Sequence, residues 1–491
     1  MKTKIQGGYI VAFDGKGHRI IRDSVVVYED DKVIHVAKSY GGDVDQTIDA
    51  KGKLVCPGFI NIHAVASICI THFRLDALRR GGLYVSKAYV VDGVGELDLV
   101  GEDLETSALF CFVELLKGGA TTSVPITAMT PSRWEAPKEQ AETLARTAGE
   151  LGARAYVSHH YRSGVKYWTE DGVIRYHWDE EAGRAGLEGG LRFAEEFEGS
   201  YDDRIRTMLF PAQSGTCSAE LLRETKEAAS ERGLMIHMHV AEGLFTEFYE
   251  IQRRHGKTPV HYLYDMGFLD PDVIVTHVLY TTLNPVTGYP KRDMRDIELL
   301  AKSGATVAHC PVIYARGGRL LQSFGQYLRM GVNMAIGTDA FPMDMIMEMR
   351  YAAIMGKVAD QDPLAVTARD VFNAATLGGA KALGREDLGR LAVGAKADIV
   401  IVDLTGLHVG LIDDPIKTLV YMASQRDIET VIVDGRVVVE GGRVPGVDEE
   451  KLARKANEVN QRQKMAFVRQ NPMGLSAEEV FPPSFPWNDE A

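Results

Sequence analysis

Residues 56–67 have the sequence CPGFINIHAVAS, which joins a turn, a short apolar strand and a histidine. Pro57 and Gly58 give a turn signal, and the apolar run after them is typical of a buried strand. The run reaches His63, and Val65 stands two residues later. Because residues two apart face the same side of a strand, a histidine at 65 would have completed a chelating pair. Whether His63 belongs to a metal site therefore depends on the rest of the chain.

Seven further segments share the form of this first strand. They are short and apolar, and amphipathic helical stretches separate them. Together with GFINIHAV, the eight candidates are ATTSVPIT, ARAYVSHHY, IRTMLFPAQ, LMIHMHVAE, VIVTHVLY, ATVAHCPV and NMAIGTDA. Eight β/α units over about 330 residues predict an α/β fold with a (β/α)8 TIM-type barrel, whose active site lies where the strands end. Six of the eight candidates end near His, Asp or Glu, which favours an enzyme.

The two ends of the chain differ from this middle. Both consist of β-branched runs separated by Gly and Asp turns, and DG between VIV and RVVVE is a hairpin signal. Because domain ends tend to lie close together, we expect both to form one small β-sandwich domain. The predicted segments are the N-terminal strands of the sandwich over 1–55, the catalytic barrel over 56–390, the C-terminal strands of the sandwich over 391–445, and a C-terminal helix and tail over 446–491.

Composition excludes several classes of partner. The 491 residues include 55 Lys and Arg against 68 Asp and Glu, for a net charge of −13, which argues against nucleic acid or an anionic membrane. The five cysteines are scattered without a C-x-x-C, as suits a reducing compartment. We see no signal peptide and no apolar run of about 18 residues. We therefore expect a cytoplasmic protein that acts on a small-molecule substrate.

Polar residues that can carry chemistry follow the later strands. LMIHMHVAEG places His237 and His239 on one strand face, with Glu242 just past the strand end. The next strand ends near His277, and the eighth ends near Asp339. Imidazole and carboxylate are the usual ligands of a catalytic Zn²⁺ or Fe²⁺. Such a metal lowers the pKa of its water towards about 7, and a nearby carboxylate can carry the proton to the leaving group.

Five motifs in order, PGFINIH, HMHVAE, THVLY, VAHCPV and IGTDA, resemble the amidohydrolase superfamily. The branch they resemble contains cytosine and guanine deaminases and triazine hydrolases, and GRLAVGAKADIVIVDL resembles that family's return to the sheet domain. The resemblance implies a hydrolase of carbon–nitrogen bonds other than peptide bonds. Its reaction would be deamination, or cleavage of an amide, urea or carbamate, in a cyclic or heteroaromatic molecule. It also implies a homo-oligomer.

The resemblance assigns roles to five residues. His63, His239 and Asp339 match ligands of one divalent metal, with zinc favoured and iron the alternative. Glu242 matches the residue that moves protons, and His277 matches the residue that contacts the water or the developing oxyanion. The predicted catalytic residues are therefore Glu242, His277 and Asp339.

The chain departs from the family at two places. The fourth ligand falls on Val65, which cannot bind a metal, and Ile313-Tyr314 stands where the family often has Ser-Asn. His237 and His72 are candidates to replace the lost ligand, although His237 is more simply a core histidine one layer deeper. No lysine ends the fourth strand, so we expect at most one metal, which the loss at Val65 could abolish altogether.

Three further histidines are candidate substrate-binding residues. His309 lies in the seventh strand, and His159 and His160 end the third. Each could instead be a structural histidine or lie on a solvated loop.

Two other functions stay open from the sequence. The same side chains could perform acid–base chemistry without a metal, as a lyase, an isomerase or a metal-free hydrolase, or the chain could be a non-catalytic scaffold. Convergence of His63 and Asp339 with His239 on one point would favour the metal site.

Overall fold

The computed structural model describes residues 1–71, 99–127, 134–169, 173–290, 292–470 and 475–486. In chain order its strands are β1 Lys2–Gln6, β2 Tyr9–Phe13, β3 His18–Arg22, β4 Val25–Glu29, β5 Lys32–Ala37, β6 Gln46–Asp49, β7 Lys53–Pro57, β8 Phe59–Val65, β9 Ala120–Ile126, β10 Arg154–Tyr161, β11 Gly164–Trp168, β12 Ile174–Trp178, β13 Ile205–Pro211, β14 Met235–Val240, β15 Val273–His277, β16 Thr306–His309, β17 Asn333–Ile336, β18 Ile399–Asp403, β19 Ile428–Val433 and β20 Arg436–Val439. The α-helices of five residues or more are α1 Gly101–Lys117, α2 Lys138–Leu151, α3 Glu180–Phe197, α4 Ala219–Arg232, α5 Tyr249–His255, α6 Pro259–Asp265, α7 Arg295–Ser303, α8 Pro311–Ala315, α9 Phe324–Arg329, α10 Met345–Asp360, α11 Ala368–Asn373, α12 Pro415–Tyr421 and α13 Glu449–Gln470.

Eight strands form one sheet in the order β17-β16-β15-β14-β13-β10-β9-β8, and all its neighbours are parallel. The sheet closes because its two outer strands meet. The amide of Val65 donates to the carbonyl of Asp339 at 2.6 Å, and the amides of Thr338 and Asp339 donate to the carbonyl of His63 at 3.0 and 2.9 Å. All eight predicted strand segments contain a barrel strand, so the (β/α)8 prediction is confirmed.

The barrel interior has an apolar lower layer. Seven of its strands contribute buried side chains to this layer, which include Ile60, Ile62, Val124, Tyr156, Met208, Ile274, Ala308 and Ala335. A filled interior of this kind is a packed core and not a pore. Polar chemistry is therefore confined to the layer above it, at the carboxyl ends of the strands.

Strands from both chain ends build the predicted β-sandwich. A four-stranded sheet, β5-β4-β1-β6, packs against a six-stranded sheet, β20-β19-β18-β7-β2-β3. Their shared core includes Ile5 and Val26 from one sheet and Ile10, Val55 and Ile399 from the other. Strand β7 pairs antiparallel with β18, which joins the two ends directly. Strand β7 also runs across the predicted domain limit at residue 55, because it leads straight into the first barrel strand.

The C-terminal helix α13 packs on the surface of the barrel of its own chain. Ala456 and Val459 contact Leu104 of α1 in a small buried cluster, and Arg462 pairs with Asp103 at 2.6 Å. Every helix among the described residues is too short or too polar to span a membrane.

A buried charge network joins the barrel to the sandwich. Arg154, 1% exposed at the start of β10, donates to Asp398 beside β18 and to Asp434 in the turn between β19 and β20. Charges buried this deeply are stable only when they are paired.

Replacing Arg154 by methionine would leave the buried Asp398 without its cation and Asp434 with Lys396 alone. We expect Arg154→Met to lower the free energy of unfolding by about 3–5 kcal/mol, measured by urea denaturation. The control is Lys138→Met, which removes an exposed lysine that pairs with Glu142 and Glu196 at the surface, and it should cost less than about 1 kcal/mol. Equal stabilities of the two variants would contradict a structural role for the network.

Candidate active site

Four predicted residues meet at the carboxyl ends of β8, β14, β15 and β17. The ring centroids of His63 and His239 are 4.9 Å apart, those of His63 and His277 are 5.2 Å apart, and those of His239 and His277 are 5.1 Å apart. One ring nitrogen from each lies within 4.8 Å of the other two. Asp339 Oδ2 is 3.8 Å from His63 Nε2 and 3.4 Å from His277 Nε2. Three imidazoles and a carboxylate therefore converge on one small volume.

Backbone geometry explains why these side chains converge. In β14, His237 and His239 alternate with Ile236 and Met238, which lie in the core beneath the helices. His277 and Asp339 instead have positive φ angles, of 79° and 61°. Such conformations cost non-glycine residues about 1–3 kcal/mol and concentrate at functional sites.

The conformation of His277 reverses the direction set by its strand. Thr276 faces the barrel interior, where its hydroxyl contacts His237. Simple alternation would therefore send the next side chain outwards. The left-handed backbone at His277 turns its ring back towards Asp339.

The donor set suits a divalent cation. His63 Nε2 and both ring nitrogens of His277 are buried and have no hydrogen-bond partner among the described residues. Burial, together with neighbouring histidine and arginine side chains, lowers the pKa of both imidazoles well below the usual value. Both rings are therefore neutral at pH 7, and each has a lone pair free. Burial, with the nearby carboxylate of Glu242, raises the pKa of Asp339 to about 7. Buried nitrogen and oxygen atoms without partners are energetically costly, and one cation bound between them would satisfy them together.

His237 lies one layer below this cluster. Its Nε2 is 3.2 Å from His63 Nδ1 and 2.8 Å from the hydroxyl oxygen of Thr276. These contacts engage the nitrogen that would otherwise bind a metal. They also fix the ring of His63 so that its Nε2 faces Asp339. His237 therefore orients His63, while the other candidate replacement, His72, lies outside the described residues.

The place of the missing ligand is filled by apolar side chains. Val65, 7% exposed, packs with Ile126 and Phe210. The ring centroid of Phe210 is 5.3 Å from those of both His237 and His239. One side of the cluster is therefore an apolar wall, and we use this name for Val65, Ile126 and Phe210.

Glu242 stands just beyond the end of β14. Its Oε2 accepts a hydrogen bond from Gln213 Nε2 at 3.0 Å, and its backbone amide donates to Glu247 Oε2 at 2.8 Å. Lys166 in turn donates to Gln213 Oε1 at 3.0 Å. The sequence patterns did not identify Gln213, Glu247 or Lys166. The signal available for Gln213 was its position at the end of the fourth strand candidate.

The predicted substrate-binding histidines of β10 point in opposite directions. His160 is buried near the apolar wall, with its ring centroid 6.1 Å from that of Phe210 and both nitrogens without a partner in the described chain. His159 faces α3 instead, with its ring 6.4 Å from Phe193 and its Nε2 3.6 Å from Glu135. The structure therefore brings only His160 to the barrel interior.

The third predicted substrate-binding residue, His309, packs near α9. Its ring centroid is 5.5 Å from that of Phe324, and burial lowers its pKa to about 3. Tyr314, at the position where the sequence departs from the resemblance, approaches the site more closely. Its ring is 4.8 Å from His277, and the guanidinium of Arg319 lies 4.6 Å from its centre. Tyr314 therefore covers the outer side of His277.

Comparisons with known proteins identify the family of this chain. The sequence model described as "Amidohydrolase family" matches residues 54–438. A 5'-deoxyadenosine deaminase of Methanosarcina acetivorans is 32% identical over 456 residues, or 92% of this chain and 96% of that protein. A 5-methylthioadenosine/S-adenosylhomocysteine deaminase of Thermococcus onnurineus is 32% identical over 445 residues, or 89% and 94%.

Two solved structures share the fold. A zinc-bound adenosine deaminase from Xanthomonas campestris superposes with a TM-score of 0.78 at 22% identity, over 94% of this chain and 98% of that one. An atrazine chlorohydrolase from Arthrobacter aurescens, complexed with zinc, gives 0.75 at 22% identity, over 93% and 100%. At these identities the likeness concerns the fold alone.

Restoring a histidine at position 65 should destabilise the protein. The larger polar ring would enter the apolar wall, where overpacking costs about 1–3 kcal/mol. We expect Val65→His to lower the melting temperature in buffer containing a metal chelator. The same substitution at the exposed Val393 should change stability by less than about 0.5 kcal/mol. A Val65→His protein as stable as the Val393→His control would show that the wall does not fill this position.

Proposed function

This chain belongs to the amidohydrolase family and is a hydrolase of carbon–nitrogen bonds other than peptide bonds, and on that premise we propose that it deaminates a purine nucleoside. The substrate class we propose is an adenosine altered at its 5' position. Two relatives at 32% identity carry names of that kind, and their alignments cover about nine-tenths of this chain. The expected homo-oligomer and cytoplasmic location stay predictions.

The observation that carries the proposal is the close approach of the ring nitrogens of His63, His239 and His277 to one another, with Asp339 Oδ2 beside those of His63 and His277. We propose His63, His239 and Asp339 as the ligands of a single divalent metal, with zinc favoured. Their geometry supports a metal-dependent hydrolase over metal-free acid–base chemistry, because the nitrogen of His63 that faces Asp339 has no hydrogen-bond partner in the described structure. When bound there, the metal would lower the pKa of a water molecule towards about 7.

Glu242 is the proposed proton carrier. The attacking water must lose a proton, and the departing amino group must gain one. Gln213 occupies Oε2 of Glu242, which leaves Oε1 to take the first proton and deliver the second. We assign Asp339 to the metal. Glu242 is therefore the carboxylate that we propose for proton transfer.

His277 and the apolar wall complete the proposed site. His277 Nε2 lies 3.4 Å from Asp339 Oδ2, and an N–H at this nitrogen would stabilise the negative charge that develops on the attacked ring. The apolar wall excludes water from one side and offers a flat apolar contact to a heteroaromatic ring. His160, beside that wall, is placed to contact the substrate.

Two substitutions separate metal binding from proton transfer. We expect Glu242→Gln to keep its metal and to lose about 10²- to 10⁴-fold in kcat, since only the proton carrier is removed. Asp339→Asn should lose both metal and activity. The assay is ammonia release from 5'-deoxyadenosine, 5'-methylthioadenosine and S-adenosylhomocysteine, with metal content by elemental analysis. Near-normal turnover in either variant, or no turnover of any of the three by the unaltered metal-loaded protein, would refute the proposal.

His237 should affect metal affinity without binding the metal. His237→Phe removes the contact that orients His63, and loss of such a partner typically weakens affinity about 10- to 100-fold. The measurement is competition for zinc against a chelator of known affinity. Met238→Leu, on the opposite face of the same strand, is the control and should bind zinc normally. Equal affinity of the two variants would mean that His63 is oriented without His237.

A further inference from the structure

We propose that Lys166 is a positioning residue that acts through Gln213 to hold Glu242 with a single oxygen free for proton transfer. The inference rests on the proposed role of Glu242. It concerns a residue on the β11–β12 hairpin, which lies outside the eight barrel strands.

The hydrogen bonds run in one direction because of the chemistry of the groups. A lysine side chain can only donate, so the atom of Gln213 that it contacts at 3.0 Å is the oxygen, Oε1. The amide nitrogen of Gln213 then faces Glu242 and donates to Oε2 at 3.0 Å. An amide N–H requires an acceptor, so Oε2 of Glu242 is engaged as that acceptor in this arrangement. Lys166 therefore decides which way the Gln213 amide points.

The second oxygen of Glu242 has no such restraint. Within the described chain, Oε1 of Glu242 makes no hydrogen bond, while the backbone amide of Glu242 is held by Glu247. Ser214 donates to the other oxygen of Glu247, so the loop that carries Gln213 restrains Glu242 at two points. The carboxylate cannot rotate without breaking the bond at Oε2. One oxygen, Oε1, must then both receive and deliver the proton.

The hairpin is anchored in a way that fixes the position of Lys166. The amide of Gly164 donates to the carbonyl of Thr216 at 2.8 Å, next to the loop that holds Gln213. The hydroxyl of Tyr176 donates to the carbonyl of Thr246 at 2.6 Å, next to Glu247. Arg254 adds a contact over the ring of Tyr176, at 4.1 Å from its centre. The hairpin thus bridges the two loops between which Glu242 is held.

The charges around Lys166 agree with this role. Lys166 is half-buried and has no carboxylate in an ion pair with it among the residues described. Burial lowers the pKa of Lys166, the carboxylates of Glu242 and Glu247 act against this shift, and Arg162 adds to it. A half-buried cation whose one direct contact is a neutral amide is an inefficient way to stabilise a fold, because desolvation is not repaid by a counter-charge. The position of Lys166 is better explained by its effect on the orientation of the Gln213 amide.

The test is a double-substitution cycle on the metal-loaded enzyme. We expect Lys166→Met to lower kcat about 10- to 100-fold with KM nearly unchanged, because the misplacement affects the reacting oxygen and not the binding of substrate. Gln213→Leu should have a similar effect. Adding Lys166→Met to Gln213→Leu should then cost nothing more, since the amide through which the lysine acts is gone. Lys166→Arg should recover part of the activity.

Arg175→Met is the matched control, because it removes an exposed cation from the partner strand of the same hairpin. It should leave kcat and KM unchanged, and every variant should keep its full metal content. A raised KM with normal kcat in Lys166→Met would overturn the inference in favour of direct substrate contact. Additive losses in the double variant, or normal kinetics in Lys166→Met, would also overturn it. The proposed function fails separately, if Glu242→Gln remains active.

Discussion

The backbone hydrogen bonds that close the barrel are the constraint on which the site depends. The carbonyl of His63 accepts from both Thr338 and Asp339, and Val65 donates to Asp339. A sheet that closes on itself must bring its first and last strands side by side. Here that meeting place lies at the level where the strands end, so an imidazole from one strand and a carboxylate from the other are forced together. The remaining two imidazoles only have to face the same point from β14 and β15.

The departure at Val65 changes the surroundings of this cluster without dispersing it. The apolar wall occupies the space that a second histidine would need, and His237 supports His63 from below. The cluster is therefore asymmetric, with polar contacts on the side of Asp339 and Glu242 and a hydrophobic surface on the other. A flat, weakly polar ring is the kind of ligand that such an asymmetric cleft accommodates.

Much of this arrangement could be predicted because it follows from local patterns, whereas the rest depends on backbone angles and on contacts between distant segments. Apolar runs ending in polar residues located the eight strands, and the i, i+2 spacing placed His237 and His239 on one face. The direction of His277 could not be predicted, since its backbone angle breaks the alternation of the strand. Lys166 approaches Gln213 only because the β11–β12 hairpin folds over two loops from other regions of the chain.

The contact between β8 and β17, where the barrel closes, also affects the folding of the chain. His63 and Asp339 are separated by most of the barrel sequence, so a cation held by both would cross-link the first and last strands of the barrel. Cross-links that close long loops restrict the unfolded chain most strongly, and a ligand that binds only the closed form draws the equilibrium towards it. Metal binding would then stabilise the closed barrel, so the concentration of the ion in the cell would affect the fraction of the enzyme that is folded.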